Sequence, residues 1–242
     1  VAVRQHEIVW VGLIAPLALS SSAESPPVRL ARAAREALPP FLLPTACFVA
    51  FWAWNGSVSL SRTQSALHPD FSLHLGNVCF AVLVAGLLLP LHAIEGFRGF
   101  VGRVRAHAWL PMIPVSLAAA FWIGFRADNP YNAVQPSYYL HNGFASLLGQ
   151  SGWRAAAACV FAVAGCGLAL VPLRPRAAWT LWPVAAMFLA ASWLVELRYA
   201  MVPLALWLAL RKPLRAGIEY ATLALWAVLA VLLCHGTATH RL

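Results

Sequence analysis

Charge is scarce in this chain. Only 10% of its 242 residues are charged and 61% are apolar, whereas soluble domains carry about 25% charged residues; an ordinary water-soluble globule is excluded. The few charges lean positive, 17 Lys and Arg against 8 Asp and Glu, for a formal +9. They are scattered over short loops and form no patch or stripe, which excludes nucleic acid as a partner. Cysteine is limited to Cys47, Cys79, Cys159, Cys166 and Cys234, all inside apolar runs, where a thiol acts as a small hydrophobe; no disulfide framework is expected. There is no Walker loop, no dinucleotide-binding glycine pattern, no Cys-x-x-Cys and no His pair at metal spacing on a helix. His68 and His74, six apart, are weak ground for a metal, and none is expected. No internal repeat stands out, and no interrupted helices occupy matching positions in two halves, which ranks a transporter last. The first apolar run follows Val1 almost at once with no cleavable-signal pattern, so a preceding portion is expected.

What the chain does have is long apolar runs, at 8–20, 41–60, 71–91, 109–125, 155–172, 177–195, 199–210 and 218–234. Several match the roughly 17–25 residues needed to cross a bilayer; the first and seventh are short. The expected fold is all-α, a single polytopic membrane bundle over 1–242 with about eight transmembrane segments. Alternate loops carry Arg29, Arg32 and Arg35; Arg98, Arg103 and Arg105; Arg174 and Arg176; and Arg211, Lys212 and Arg215. The remaining six arginines fall on the opposite side, so the positive-inside bias assigns the first set to the cytosol. Residues 21–40 then form a cytosolic connector, either a solvated linker or a basic surface helix, and 126–154 a lumenal loop. Trp52, Trp54, Trp122, Trp153 and Trp193 fall near one interface, and Trp109, Trp179, Trp182 and Trp207 near the other, where aromatic belts sit.

Three constellations gather polar chemistry on the non-cytosolic side. Trp54-Asn55-Gly56-Ser57 ends the second run, and the next loop supplies Arg62, His68, Asp70 and His74; the plain alternative is a glycine-terminated helix followed by a solvated loop. The 126–154 loop holds Asp128, Asn129 and Tyr131, then Tyr138 to Asn142. Aromatic faces beside hydrogen-bonding groups suit sugars, and interfacial tyrosines are equally ordinary belt residues. Third, Glu196-Leu197-Arg198-Tyr199 sets a carboxylate and a guanidinium between two apolar stretches. A charge at a bilayer rim costs roughly 2.5–3.5 kcal/mol on insertion scales, so it is seldom idle. The pair closes a modest salt bridge, or Arg198 grips a lipid phosphate, whose oxygens a guanidinium fork matches.

Four segments, in order, resemble the C-terminal half of the dolichyl-phosphate-glucose-dependent α-1,2-glucosyltransferases. Arg4-Gln5-His6-Glu7-Ile8-Val9-Trp10 is similar to that family's Arg-Gln-Thr-Asn-Ile-hydrophobic-Trp segment. Trp54-Asn55-Gly56 matches its Trp-Asn-Gly, Ala127-Asp128-Asn129 its Ala-Asp-Asn, and Glu196-Leu197-Arg198-Tyr199, with Pro203 following, its Glu-x-Arg-Tyr turn; Glu219-Tyr220 fits the start of its final helix. The chain departs from the family at Ser61-Arg62, where a Gly-Asp is usual, and at Pro130-Tyr131, where an Arg-His is usual.

The resemblance implies the C-terminal part of a GT-C type glycosyltransferase, multi-pass in the endoplasmic reticulum membrane, acting in protein N-glycosylation. It would transfer glucose from dolichyl phosphate glucose to the diglucosylated lipid-linked oligosaccharide, forming an α-1,2 linkage with inversion, its partners the dolichol-linked donor and acceptor lipids. No cofactor is implied beyond that donor. The catalytic base is expected in an N-terminal half bearing an Asp-Glu motif. The candidate substrate-binding residues are Arg198, Glu196, Tyr199, Asp128, Asn129, Tyr131, Trp54, Asn55, Arg62, His68 and His74, with Arg198, Arg62 and His74 assigned to phosphate and Asp128, Asn129 and Tyr131 to sugar. The alternative is a non-catalytic polytopic subunit that packs on partners through small-residue faces such as Gly165 and Gly167 near Ala162 and Ala169.

Overall fold

A computed structural model describes residues 9–10, 13, 17, 28, 31, 35, 39–55, 73–127, 132, 143–192 and 194–238. Among them the regular structure is helical, with no strand: α1 (Pro39–Asn55), α2 (Leu75–Leu88), α3 (Pro90–Val104), α4 (Met112–Gly124), α5 (Gly143–Gly149), α6 (Ser151–Leu170), a 3-10 turn (Arg176–Thr180), α7 (Leu181–Ala190), α8 (Leu197–Leu210) and α9 (Ala216–Ala238). Among the described residues two helices, Ser151–Leu170 and Ala216–Gly236, are long and apolar enough to cross a membrane, or up to three if the bent pair α2 and α3 counts as one span. The described residues are therefore those of an all-helical membrane protein. In the 21–40 connector, Val28, Ala31 and Arg35 are helical and exposed.

Two segments differ from expectation. The stretch holding Arg98 and Arg103, expected as a cytosolic loop, is helix α3. Pro90 opens it, and Leu89 before it sits at φ −129°, ψ 47°, because proline lacks an N–H and crowds the preceding residue out of helical backbone. α2 consequently ends there, and α3 leaves at 102°. Ala93, Phe97, Phe100 and Val104 then recur at helical spacing and turn inward, a period that the arginine density masks. The second difference lies in the expected 126–154 loop, whose last third is helical, since α5 and the start of α6 fall within it.

The chain forms two compact units. Unit 1 comprises Val1–Phe80, Gly124–Gly149 and Leu173–Leu210. Its buried residues include Phe125, Ala145, Leu181, Phe188, Val195 and Trp207, with Trp10 stacked obliquely on Phe188 at 5.0 Å between ring centroids and Phe80 on Phe144 at 5.9 Å. The start of α2 is tightly enclosed: a Cβ on Gly76 would lie 2.5 Å from the Arg126 carbonyl oxygen and 2.9 Å from Val195.

Unit 2 comprises Ala81–Ile123, Gln150–Pro172 and Arg211–Leu242. Its centre is the approach of α3 to α6, where Gly96 faces the Gly167 backbone and Gly167 faces that of Ala93. With no Cβ between them the two backbones touch, as small residues permit at helix contacts inside membranes. Phe100, Leu110 and Cys166 pack beside this contact with Phe97, Val104, Ile113, Leu117 and Leu170. α9 is by contrast largely exposed, with Leu223, Val228, Val231, Leu232 and Leu233 on its surface, an apolar exterior suited to lipid.

This contact makes glycine position decisive along α3. Gly96→Ala drives a methyl into the Gly167 backbone and is expected to destabilise by about 1–3 kcal/mol, the usual cost of overpacking. At Gly99 nothing lies within 4 Å of an added Cβ, so Gly99→Ala is expected to stabilise by roughly 0.5–1 kcal/mol through helix propensity. Thermal unfolding of both variants in one detergent measures the contrast; equal melting temperatures would disprove the close-contact account.

Candidate functional site

α7 ends at Ala190 and α8 begins at Leu197; the N–H groups of Ala191 and Ser192 still reach back to α7 carbonyls, while the backbone groups of 194–196 lie outside both helices. Two side-chain amides from distant parts of unit 1 supply partners. Asn77, 1% exposed in the first turn of α2, donates from Nδ2 to the carbonyl oxygens of Ser192 at 2.9 Å and Leu194 at 2.7 Å. Its Oδ1 accepts the N–H of Glu196 at 3.0 Å. Asn132, 2% exposed, donates to the Val195 carbonyl at 2.8 Å and accepts the Val195 N–H at 3.0 Å. Only a carboxamide offers two donors and an acceptor on one short side chain; aspartate could not donate, and alanine would pair nothing.

The consequence is a fixed platform for the charged turn. Glu196 precedes α8 and pairs through Oε2 with Nε of Arg198. The Arg198 guanidinium carbon stands 5.7 Å from the Tyr199 ring centroid, and that tyrosine is buried. Glu196 is mostly covered and Arg198 is 52% exposed, so the carboxylate and the ring brace the arginine while half of it faces outward. Such an arrangement can receive a phosphate or carboxylate at the open side of the guanidinium.

His74 is close by along the chain: its N–H donates to the Ala190 carbonyl at 2.8 Å, joining the entry of α2 to the end of α7, three residues before Asn77. The structure thus brings His74, Glu196, Arg198 and Tyr199 to adjoining segments of unit 1. Trp54, 85% exposed, and half-buried Asn55 stand at the C-terminal end of α1. Arg62, His68, Asp128, Asn129 and Tyr131 lie outside the described residues. Sequence reasoning missed Asn77 and Asn132; a lone asparagine inside the 71–91 apolar run was the available signal, because a buried amide requires partners.

A second polar cluster sits in unit 2. Glu219, in the first turn of α9, takes Arg211 in two parallel hydrogen bonds of 2.6 and 2.5 Å and accepts the Leu214 N–H at 2.8 Å. His92, fully buried in α3, lies 3.4 Å from Glu219 through Nε2 and 3.4 Å from Thr222 through Nδ1. All its members are enclosed or partly so. The cluster therefore reads as a clasp joining the 211–214 segment, α3 and α9, not as an open site. Among the described residues, no three His, Cys, Asp or Glu side chains converge as metal ligands.

The two ion pairs differ in what they support. Removing one partner of an enclosed pair leaves an uncompensated charge at about 3–5 kcal/mol, so Glu219→Ala is expected to be the most destabilising change. Asn77→Ala, which strips partners from buried backbone groups, should cost about 1–3 kcal/mol. Glu196→Gln, acting on a half-exposed pair, should cost no more than about 1 kcal/mol. Denaturant unfolding of the three variants gives the ranking, and a Glu196 variant less stable than the other two would reverse the assignment. Compared with protein-family models, curated proteins and solved structures, the chain matches none.

Proposed function

We propose that this chain, with about eight spans, is the C-terminal part of a GT-C type glucosyltransferase in the endoplasmic reticulum membrane. It transfers glucose from dolichyl phosphate glucose to the diglucosylated lipid-linked oligosaccharide, with α-1,2 linkage and inversion. The observation that carries this reading is the braced, outward-facing Arg198. A guanidinium held on one edge by Glu196 and beside the Tyr199 ring keeps its orientation without a ligand. Its open side suits a phosphate whose isoprenoid tail stays in the bilayer, and a fixed cation there offsets charge developing on the departing phosphate. The ordered resemblance of four segments supports the choice of donor and acceptor.

The rival reading, a non-catalytic subunit, relied on small-residue faces free to receive a partner. A Cβ on Gly165 would instead lie 3.3 Å from Leu117, and one on Gly167 would run into the Ala93 backbone. Those faces are used within unit 2, which favours the transferase.

The test uses the protein encoded by the whole transcript that carries this chain, expressed in microsomes and assayed for conversion of diglucosylated to triglucosylated lipid-linked oligosaccharide. Arg198→Ala is expected to raise the KM for donor and lower kcat/KM by about 10- to 100-fold, the worth of a charge-assisted hydrogen bond, with Arg198→Lys in between. A wild type that transfers no glucose, or an alanine variant with unchanged donor KM, would reject the proposal.

A further inference from the structure

α3 carries two unlike faces. Ala93 and Phe100 are buried and Gly96 rests on Gly167, which fixes the inner face against α6. The outer face interleaves exposed Leu91, Ile94 and Val101 with Arg98, whose side chain is 75% exposed. Arg103 in the last turn of the helix, and Arg105 and Trp109 past it, are exposed as well. Glu95 is the one acidic residue between Pro90 and Trp109, and it lies 3.4 Å from Arg98; three arginines outnumber it, so the segment stays cationic.

Neither water nor hydrocarbon suits this surface alone. Water would leave Leu91, Ile94 and Val101 without apolar neighbours, and the bilayer centre strongly disfavours arginine. The boundary between them satisfies both. Apolar side chains enter the acyl edge, long guanidinium stems reach back to the phosphates, and tryptophan occupies the belt. The 102° turn at Leu89 serves this placement, because a helix leaving an apolar span near a right angle runs along the membrane plane. From this geometry we infer that α3 is an interfacial helix whose Arg98, Arg103 and Arg105 bind the headgroups of anionic phospholipids.

The experiment equilibrates the purified full chain with mixed micelles of phosphatidylcholine and phosphatidylserine, captures the protein and measures the ratio of bound lipids by mass spectrometry at low and high salt. Wild type should hold phosphatidylserine above its micellar share, and high salt should reduce the enrichment. The R98Q/R103Q/R105Q variant should lose it, by roughly fivefold per arginine, while R98K/R103K/R105K retains it. Circular dichroism and melting should be unchanged, since these side chains are exposed. Bound lipids in the micellar ratio for wild type, or equal enrichment in the glutamine variant, overturns the inference. Should the glutamine variant fail to fold, wild-type enrichment insensitive to salt, or its loss in the lysine variant, does the same.

Discussion

Among the described residues, the interruptions of helices expose backbone groups that apolar surroundings cannot solvate, and much of the structure follows from how they are paired. An unpaired amide in such a setting costs several kcal/mol, roughly 2–7 depending on reference state. Some of the partners are backbone carbonyls, as where Arg174 reaches Leu210 and Lys212 reaches Pro172, and others are side chains. Asn77 and Asn132 serve the break before α8, Glu219 serves the Leu214 N–H before α9, and Trp226 Nε1 donates to the Leu88 carbonyl at 2.7 Å where α2 ends. Arg154 likewise donates to the Trp122 carbonyl at 2.5 Å near the end of α4. Where the partner is distant in sequence, as with Asn77, Asn132 and Trp226, these bonds do double service. They satisfy the break, and they fix which segments adjoin.

This explains how two acidic residues of similar chemistry acquire different tasks. Glu219 has three classes of partner, a guanidinium, a backbone N–H and an imidazole, and is consumed in joining segments. Glu196 has its own N–H held by Asn77 and spends its carboxylate on one exposed arginine. Position within the backbone, more than residue type, separates a clasp from a presented charge.

The extent to which this was legible in the sequence follows the same division. Apolar runs at 41–60, 109–125, 155–172 and 218–234 correspond to α1, α4, α6 and α9 within a few residues, since composition and length suffice to place a helix that meets lipid or apolar neighbours. The prominence of Glu196 and Arg198 was legible as well, from charge isolated between apolar stretches. The 102° turn at Pro90 was obscured by arginines that suggested a loop, although Ala93, Phe97, Phe100 and Val104 carried the helical period. What Asn77 and His92 bind was illegible for a different reason. Their partners lie more than 100 positions away in the chain, and single-sequence periodicity holds no information at that range.

The geometry of the Glu196 turn also bears on the division of labour within the proposed transferase. An inverting transfer needs a carboxylate within hydrogen-bond reach of the acceptor hydroxyl. Glu196 has one oxygen committed to Arg198 Nε and its backbone committed to Asn77, so moving it toward an acceptor would break the brace that orients the guanidinium. Phosphate binding and proton removal would then compete for one side chain. The fold avoids that conflict if Glu196 is a positioning residue and the base comes from another segment. On this reading the buried asparagines act at one remove: Asn77 holds the Glu196 N–H and Asn132 the Val195 backbone, which fixes the turn that carries the carboxylate.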